Sequence, residues 1–316
     1  MFLGAGRHMQ FRHLRYFVKI VEAGSFSRAA AMIHVAQPAL SQQMADLEER
    51  MGVTLLQRTP RGIRPTAAGE VLFREASSLL KELEQLPTLL TSGSGDAEGK
   101  VSLGFATSIS VPMSGPFLET CRARHPKVAI KFADGDSESL EERITAKDID
   151  MAVVFEDELV PIFSRVPLYQ QRLFFVSCEA STNFDGVVTL EQIAPLPLVL
   201  PSFPNGRRRV VDRVFSEAGL TPNVIAETDT LSSELSAVRT GLAHSILNMS
   251  IMGQRGFADP LLIEPPVYMT CSVISSSDFP LTHAGETVRD TLIQFVDQHL
   301  KTTQRPGAEW IGPSMV

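Results

Sequence analysis

Long apolar runs are missing from this chain of 316 residues. No stretch approaches the ~18 consecutive apolar residues that a membrane-spanning helix needs, so we expect no membrane partner. The N-terminal MFLGAGRHMQ has neither a long apolar core nor a cleavage-like end, which is unlike a signal peptide. Met9 directly precedes the patterned sequence and is a second candidate start beside Met1. An apolar content of 44% is nevertheless enough to build a globular core.

Cysteine is also scarce. Only Cys121, Cys178 and Cys271 occur, far apart and without a CxxC motif. An odd number of separated thiols suits the reducing cytoplasm. A redox sensor needs an activated thiolate and a resolving partner. All three cysteines lie in apolar helix or strand contexts, which favours buried structural thiols, with redox sensing as the alternative.

The motifs of common enzymes are absent as well. The sequence has no Walker phosphate loop, no GxSxG elbow, no HExxH and no cluster of metal ligands, and its seven histidines are scattered. We therefore expect no catalytic residue, no metal and no cofactor, and a protein that is not an enzyme.

The charge of the chain is unevenly distributed. Residues 1–66 hold nine basic and four acidic residues, a net charge of +5, so the remainder carries −12 of the total of −7. A basic head on an acidic body is typical of a nucleic-acid-binding module joined to another domain. Chance clustering of charge is the alternative.

Two short helices are predicted within SFSRAAAMIHVAQPALSQQMADLEERMG. Apolar spacing predicts a first helix at His13–Ala23, a second at Phe26–Ile33 and a third from about Gln37 to Arg50, with Gly52 ending it. Two helices joined by a tight turn, with polar residues opening the second, are typical of a helix-turn-helix. An ordinary helical hairpin is the alternative.

The third helix exposes uncharged hydrogen-bonding groups, and no acid occurs between Gln37 and Ala45. Glutamine can bond an adenine edge at two atoms, serine can donate or accept, and a proline ring can contact a thymine methyl. We therefore assign base contacts to Gln37, Pro38, Ser41 and Gln42.

A basic two-stranded wing is predicted in VTLLQRTPRGIRPT, with short extended segments at Val53–Arg58 and Gly62–Thr66. Arginines along such a wing can hold phosphates and set the register of a protein on DNA. The predicted phosphate contacts are Arg28, Arg58, Arg61 and Arg64.

A long helix is predicted at Ala67–Leu90, and Pro87 should kink or end it near Leu86. Its leucines and an alanine follow a heptad spacing, which indicates a partner helix, most simply a second copy. Packing against the chain's own domain is the alternative. The predicted dimerisation residues are Leu72, Ala76, Leu79, Leu83 and Leu86, and TSGSGDAEG follows as a flexible linker.

From Lys100 onward, strands alternate with helices, which predicts two α/β lobes with mostly parallel sheets. The first of these helices is predicted at about Gly115–Arg124. The chain should cross between lobes near Arg165–Leu168 and Pro265–Tyr268. The predicted divisions are a DNA-binding domain at 9–66, a linker helix at 67–93, a ligand-binding domain at 94–300 and a flexible tail at 301–316. Within the ligand-binding domain, lobe I covers about 100–166 and 268–300, and lobe II about 167–267.

Polar residues follow the carboxyl ends of five predicted strands, where open α/β sheets bind ligands. Hydroxyls and free N–H groups at helix starts suit a carboxylate or another small anion, although a plain N-cap is the alternative for each serine or threonine. Arg207 lies nearest the cleft among three consecutive arginines, of which at least one or two should face solvent. The predicted ligand contacts are Thr107, Ser108, Ser137, Ser202, Phe203, Asn205, Arg207, Thr230 and Asn248.

These motifs together resemble a known family. HLRYFVKIVEAGSFSRAAAMIHVAQPALSQQMADLEERMGVTLLQRT, followed by RGIRPTAAGE, resembles the N-terminal signature of LysR-type transcriptional regulators. KVSLGF, DIDMAVVF, LVLPSFPNGRRRVVDRVFSEAG and SSELSAVRTGLAHSIL resemble the effector-binding domain of the same family, so the resemblance spans nearly the whole chain. LPSFPNGRRR is most similar to members that regulate nitrogen, sulfur or aromatic metabolism.

The resemblance implies a winged helix-turn-helix, a dimerising linker helix and a two-lobed domain like a periplasmic solute-binding protein. It implies a homodimer or homotetramer on promoter DNA, whose DNA contacts change with a small-molecule effector, and RNA polymerase as a candidate partner. Positions matching Ser108, Ser137 and Ser202 commonly line the effector pocket. Ala36 departs from the pattern, because many members have Ser or Thr there, and alanine is a poorer N-cap by about 1 kcal/mol.

The sequence therefore predicts a cytoplasmic LysR-type activator or repressor with an anionic metabolite as effector. A redox-sensing or ligand-independent factor of the same architecture is the alternative. A solute receptor is disfavoured by the basic wing, and a purely architectural DNA-binding protein by the large two-lobed body.

Overall fold

The computed structural model describes residues 9–60, 62–91, 97–156, 162–178, 186–248, 256–304 and 306–313, with the side chains of residues 78, 81–82 and 84–91 left aside. The chain forms two compact units, Met1–Ser92 and Gly93–Val316. No helix in the described ranges is both long and apolar enough to cross a bilayer.

The first unit is a three-helix cluster with a β-ribbon and a long helix. Its helices are α1 (Phe11–Ala23), α2 (Phe26–Met32) and α3 (Gln37–Met51), followed by β1 (Leu56–Thr59), β2 (Gly62–Pro65) and α4 (Ala67–Thr91). Gly24 and Gly52 end α1 and α3 in the left-handed conformation, as the predicted stops require. The two helices of the predicted helix-turn-helix are present, and so is the two-stranded wing.

Two boundaries in this unit differ most from the sequence prediction. The first strand of the wing begins at Leu56 rather than Val53, because the N–H groups of Leu55 and Leu56 donate to the Glu48 carboxylate at 2.6 and 2.9 Å. Helix α4 runs through Pro87 to Thr91 instead of ending near Leu86. A proline removes only one backbone N–H donor, so the other backbone hydrogen bonds of the helix can still form.

The second unit contains two lobes. Lobe I is built on β3 (Gly99–Ala106), β4 (Val128–Gly135), β5 (Met151–Glu156), β6 (Phe163–Arg172), β13 (Tyr268–Ser276) and β14 (Ala308–Trp310), in the sheet order β14-β6-β13-β5-β3-β4. Its helices are α5 (Thr107–Arg124), α6 (Ser137–Thr145) and α10 (His283–Thr303).

Lobe II has a four-stranded and a two-stranded sheet. The first contains β7 (Phe174–Val176), β8 (Val187–Thr189), β11 (Ser245–Leu247) and β12 (Leu261–Glu264), and the second pairs β9 (Leu198–Pro201) with β10 (Val224–Thr228). Its helices are α7 (Leu190–Ile193), α8 (Gly206–Glu217) and α9 (Leu231–Arg239). A bridge from Leu198 to His244 joins the two sheets, and one buried apolar cluster runs through both lobes.

The sheets are mixed rather than mostly parallel. In lobe I, β3 is parallel to β4 and β5, whereas β13 is antiparallel to β5 and β6, and β14 is antiparallel to β6. The antiparallel strands are those that carry the chain between the lobes or close it at the end, so no crossover helix forces them to run parallel.

Three further expectations for this unit are corrected. Strand β6 stays paired with β13 to Arg172, so the first crossing lies at Leu173 rather than at Arg165–Leu168, while the second lies near Pro265–Tyr268 as expected. Helix α5 begins at Thr107, eight residues before the predicted start at Gly115, because its buried residues at spacing four outweigh two internal prolines. Within the predicted flexible tail at 301–316, α10 continues to Thr303 and Ala308–Trp310 form β14, whose Trp310 packs against the core.

Candidate functional site

The opening turns of α3 present the predicted polar edge. Gln37, Pro38 and Gln42 are exposed and Ser41 is half-buried, while Leu40, Met44 and Leu47 on the opposite face are buried in the core of the first unit. This division follows from the helical spacing of the apolar residues. Ala36 occupies the N-cap position and forms no side-chain cap, so the first N–H groups of α3 stay open to another acceptor.

Two glutamines on α3 have side-chain partners within the first unit. Gln43 is half-buried, and its Oε1 atom lies 3.2 Å from Nε2 of the buried His13 on α1, so it holds two helices together. The side-chain amide of Gln42 donates to Asp46 at 2.8 Å. Gln42 must therefore turn away from Asp46 before it can donate to a base.

The arginines of the wing lie on opposite faces of the ribbon. Register pairs Gln57 with Arg64 and Arg58 with Ile63, and side chains alternate along a strand. Arg58 and Arg64 are both exposed, whereas Arg61 lies outside the described residues. The wing thus presents one arginine on each side, which suits contacts with phosphates on two strands of DNA.

Close backbone contacts hold the wing against the helix-turn-helix. The Ile63 N–H donates to the Gly24 carbonyl at 2.9 Å. Gly62 has a φ of +115°, and a Cβ there would lie 2.6 Å from the Gly24 oxygen, so only glycine fits. The exposed Arg28 lies beside Gly24, which brings it to the base of the wing.

Glu48 is a positioning residue that sequence reasoning missed. Its carboxylate accepts the two N–H groups that open β1 and so fixes the start of the wing. The sequence showed only an acid far from the base-reading edge, and no local pattern links it to residues seven and eight positions later.

The predicted dimerisation residues on α4 divide into two groups. Ala76 is buried and Leu72 half-buried, and both pack against the core of their own unit, which is the alternative that the heptad left open. Leu79 and Leu83 are 48% and 44% exposed, and the side chain of Leu86 lies outside the described residues. The exposed pair is the part of the seam available to a partner.

A cleft between lobes I and II encloses a cavity of about 600 Å³. Seven of the nine predicted ligand contacts line it, and they come from the ends of β3, β4, β10 and β11 and from the start of α8. They are Thr107, Ser108, Ser137, Asn205, Arg207, Thr230 and Asn248. The expectation that α/β sheets bind ligands at the carboxyl ends of their strands therefore pointed to the residues that line this cavity.

The other two predicted contacts lie away from the cavity. Phe203 is 57% exposed and its ring lies 4.8 Å from the Arg208 guanidinium. The Ser202 N–H donates to the Thr228 carbonyl. Burial lowers the pKa of Arg208, but the hydrogen bonds that its guanidinium donates to the Glu227 and Asp212 carboxylates outweigh this effect, so the pKa lies above its ordinary value.

Several cavity-lining side chains cap their own helices. Asp136 accepts the Ser139 N–H at 2.7 Å, Asn205 accepts the Arg208 N–H at 3.1 Å, and Thr230 accepts the Ser233 N–H at 3.2 Å. Helix α5 differs, because its N-cap residue is Ala106, which forms no side-chain cap. The N–H groups at the start of α5 are therefore the ones left for an acceptor on a ligand.

One hydrogen bond crosses the cleft within this set. The Asn248 side-chain amide, from lobe II, donates to the Ser108 hydroxyl of lobe I at 2.9 Å. A second cross-lobe contact is the ion pair between Arg209 on α8 and Glu138 on α6, at 3.1 Å. Both contacts depend on how far the lobes are closed.

Arg207 does not offer a free positive charge to an anion. Its guanidinium contacts both carboxylate oxygens of Glu234 at 2.9 and 2.5 Å, and donates to the Ile246 carbonyl at 2.8 Å. Ser245 donates to the same carboxylate. Sequence reasoning missed Glu234, although it lies three residues after Leu231 and one before Leu235 on the inward face of α9.

The cysteines offer no paired redox centre in the part of the chain described. Cys121, Cys178 and Cys271 are all buried and form no disulfide there. Burial raises the pKa of the Cys121 thiol to about 11, although Arg124 lowers it in part. This thiol is therefore protonated and unreactive at neutral pH.

Comparison with known proteins assigns both units. Residues 11–70 match the family model described as bacterial regulatory helix-turn-helix protein, lysR family, and residues 94–297 match the LysR substrate binding domain. The nitrogen assimilation regulatory protein nac of Escherichia coli is 36% identical over 240 residues, covering 76% of this chain and 78% of the relative. Its namesake from Klebsiella aerogenes is 30% identical over 295 residues, covering 92% and 96%.

Solved structures share the fold. The full-length CbnR structure in complex with its target DNA has a TM-score of 0.67 at 22% identity, covering 92% of this chain and 99% of the other. The N-terminal helices, the long helix and the two α/β lobes thus occur together in a known architecture.

Proposed function

Because the chain belongs to the LysR-type transcriptional regulators, we propose that it binds promoter DNA through α3 and the wing, under the control of a small molecule in the cleft. Its role is regulatory rather than catalytic. Its place is the cytoplasm, where promoter DNA and RNA polymerase are found.

The observation that carries the DNA-binding proposal is the exposed, uncharged start of α3. Gln37 and Pro38 project from a helix whose other face is buried, so they can enter a groove without disturbing the core. Arg28, Arg58 and Arg64 are exposed in the same unit and would hold phosphates, while Gln37, Pro38, Ser41 and Gln42 read bases.

We propose that two copies pair through the exposed part of α4. Leu79 and Leu83 lie four residues apart and so form one apolar stripe on a helix. Such a stripe is buried when two α4 helices pair, and two pairs would give the tetramer implied by the family. Charged substitutions such as Leu79→Lys should lower the sedimentation coefficient of the protein. Glu70→Lys is the control and should not, because Glu70 is exposed and lies on the side of α4 opposite to Leu79.

The effector is proposed to act by changing how the lobes meet. A ligand that contacts Ser108 and Asn248 competes with the hydrogen bond that joins them across the cleft. Only a ligand that binds one lobe arrangement more tightly than the other can shift the assembly. The cleft between the lobes is therefore both binding site and switch in this proposal.

We extend the proposal to genes for nitrogen use, because both relatives named above are nitrogen assimilation regulators at 36% and 30% identity. Deleting the gene in its host should change transcripts for nitrogen-source use under nitrogen limitation and leave them unchanged under nitrogen excess. Equal transcripts in both strains under both conditions would remove this extension without touching DNA binding.

The DNA-binding proposal is tested by selecting fragments of host DNA that the full-length protein retains. A shared site with two-fold symmetry is expected, and Arg64→Ala should weaken binding to every sequence and lower the salt slope by about 1. Gln298→Ala, at an exposed position on α10, is the matched control and should change neither. Retention of fragments without any shared site would contradict the proposal.

A further inference from the structure

The cleft is lined by an unbalanced set of charges. Among the described residues that line it, five are acidic and one is basic: Asp134, Asp136, Glu138, Asp229 and Glu234, against Arg207. The cavity itself and the match to a substrate-binding domain locate the ligand, and the charges then determine which ligand fits.

The single basic residue is already neutralised. Glu234 is only 1% exposed and holds the Arg207 guanidinium through both carboxylate oxygens. An anionic ligand that drew Arg207 away would leave the Glu234 carboxylate buried without its cation, which is strongly unfavourable. Arg207 therefore supports the wall of the cleft and does not select an anion.

The remaining acids have few partners among the described residues. The carboxylates of Asp134 and Asp229 form no hydrogen bond or ion pair with another described side chain. Glu138 pairs with Arg209, yet both of its oxygens are shielded from solvent and no described group donates a hydrogen bond to them. Asp136 accepts one backbone N–H.

These acids belong to both lobes. In lobe I, Asp134 lies on β4, Asp136 is the N-cap of α6 and Glu138 lies on α6. In lobe II, Asp229 follows β10. Glu138 is paired across the cleft with Arg209, but the like charges of Asp134 and Asp136 on one wall and Asp229 on the other resist closure. A positive group between the walls removes this repulsion and is attracted by both. Closure around a cation is thus favoured over closure around an anion.

The preference of the cleft for a positive group does not exclude an acceptor group elsewhere on the ligand. Three of the four helix N-termini at the cleft are capped by Asp136, Asn205 or Thr230, which leaves the start of α5 for an acceptor group.

We propose that the effector carries a protonated amine or guanidinium group held by the acidic walls, with a carboxylate or similar acceptor at the start of α5. This inference rests on the proposed ligand-responsive function and replaces the expectation of a simple anion.

The charge selectivity of the cleft can be measured without knowing the effector. Ser232 is exposed and lines the cavity, so Ser232→Cys supplies a reactive thiol, while the three native cysteines are buried. The reaction rate constants of two methanethiosulfonate reagents, one with a trimethylammonium group and one with a sulfonate, are compared at this site. The same comparison is made at a reference position, Thr302→Cys, which is exposed on α10.

The cationic-to-anionic rate ratio should be about tenfold higher at Ser232→Cys than at the reference, and should fall with added salt. Adding Asp134→Asn and Asp229→Asn should bring the ratio close to the reference value. A ratio at or below the reference in the unmodified cleft overturns the inference, and this result does not depend on whether the protein regulates transcription.

A matched ligand panel tests the effector class on the full chain. Thermal shifts are measured with ω-amino acids, with the same carboxylic acids lacking the amine, and with the same amines lacking the carboxylate, together with arginine, ornithine and putrescine. Saturable shifts confined to amine-bearing compounds, and weakened by Asp229→Asn, support the inference.

Saturable shifts from carboxylic acids without an amine, equal to or larger than those of their amino counterparts, overturn the inference but leave the proposed function standing. A panel in which no amine-bearing compound shifts the transition also counts against it. In that case, binding to the selected promoter site decides separately whether the proposed regulator function holds.

Discussion

The Arg207–Glu234 ion pair should be the strongest single electrostatic support of the second unit. The two side chains are 16% and 1% exposed, so water screens their attraction poorly, and Ser245 and the Ile246 carbonyl satisfy further polar atoms. Removing one partner of such a buried pair costs about 3–5 kcal/mol, because the other charge stays buried without compensation.

Glu234→Gln should therefore destabilise the second unit by about 3–5 kcal/mol. For a unit of this size the melting temperature falls by about 2–4 °C per kcal/mol. The assay is thermal and urea denaturation of the full chain, followed by far-ultraviolet circular dichroism. Asp290→Asn is the matched control, since its pair with Arg289 is solvent-exposed and should contribute about 0–1 kcal/mol.

A double-mutant cycle separates the pair from the rest of the site. Arg207→Gln combined with Glu234→Gln removes both charges, so the double variant should be less destabilised than the sum of the single variants by about 0.5–3 kcal/mol. Additive losses, or a loss below about 1 kcal/mol for Glu234→Gln, would refute the reasoning that this pair is buried and mutually dependent.

Three further predictions concern single residues. Gly62→Ala should destabilise the wing by about 1–3 kcal/mol, because the alanine Cβ meets the Gly24 oxygen at positive φ; DNA affinity should fall, and unchanged affinity would contradict this. Burial lowers the pKa of His244 from 6.5, so stability should fall as pH drops below 6.5, where the unfolded chain binds the proton first. His244→Asn should flatten that slope in urea titrations, and an unchanged slope would refute the assignment. Alkylation of Cys121 in the folded protein should keep accelerating beyond pH 9 toward its pKa of about 11, and a plateau near pH 8 would contradict burial of the thiol.

Local sequence patterns were sufficient to predict the helices that form the proposed DNA-binding edge. The buried spacing of Leu40, Met44 and Leu47 predicts α3 and its exposed face, and the left-handed Gly24 and Gly52 mark two helix ends. The same approach located the cleft, because polar residues after successive strands meet at one edge of an α/β sheet.

Long-range contacts account for most of what the sequence did not reveal. Glu234 and Arg207 lie 27 positions apart, and nothing local shows that the acid neutralises the arginine. Glu48 similarly reaches across to the start of the wing. Pro87 was given too much weight in α4, which continues beyond it. The first turns of α5 were missed although its apolar residues recur at a spacing of four.

The C-terminal tail was mispredicted for a different reason. Proline and glycine near the C-terminus suggested a loose segment, yet β14 pairs with β6 and Trp310 contacts the core. A free strand edge can order a short segment regardless of its composition, and such an edge is visible only once the sheet is assembled.

The central claim is that the start of α3 reads bases, and one measurement tests it most directly. The affinities of wild-type protein and Gln37→Ala are compared on a selected promoter site and on a scrambled site at one salt concentration. The account predicts that Gln37→Ala loses roughly 1–3 kcal/mol of discrimination between the two while its binding to scrambled DNA is unchanged. Equal weakening on both sites would show that Gln37 contacts the backbone only, and would contradict the claim.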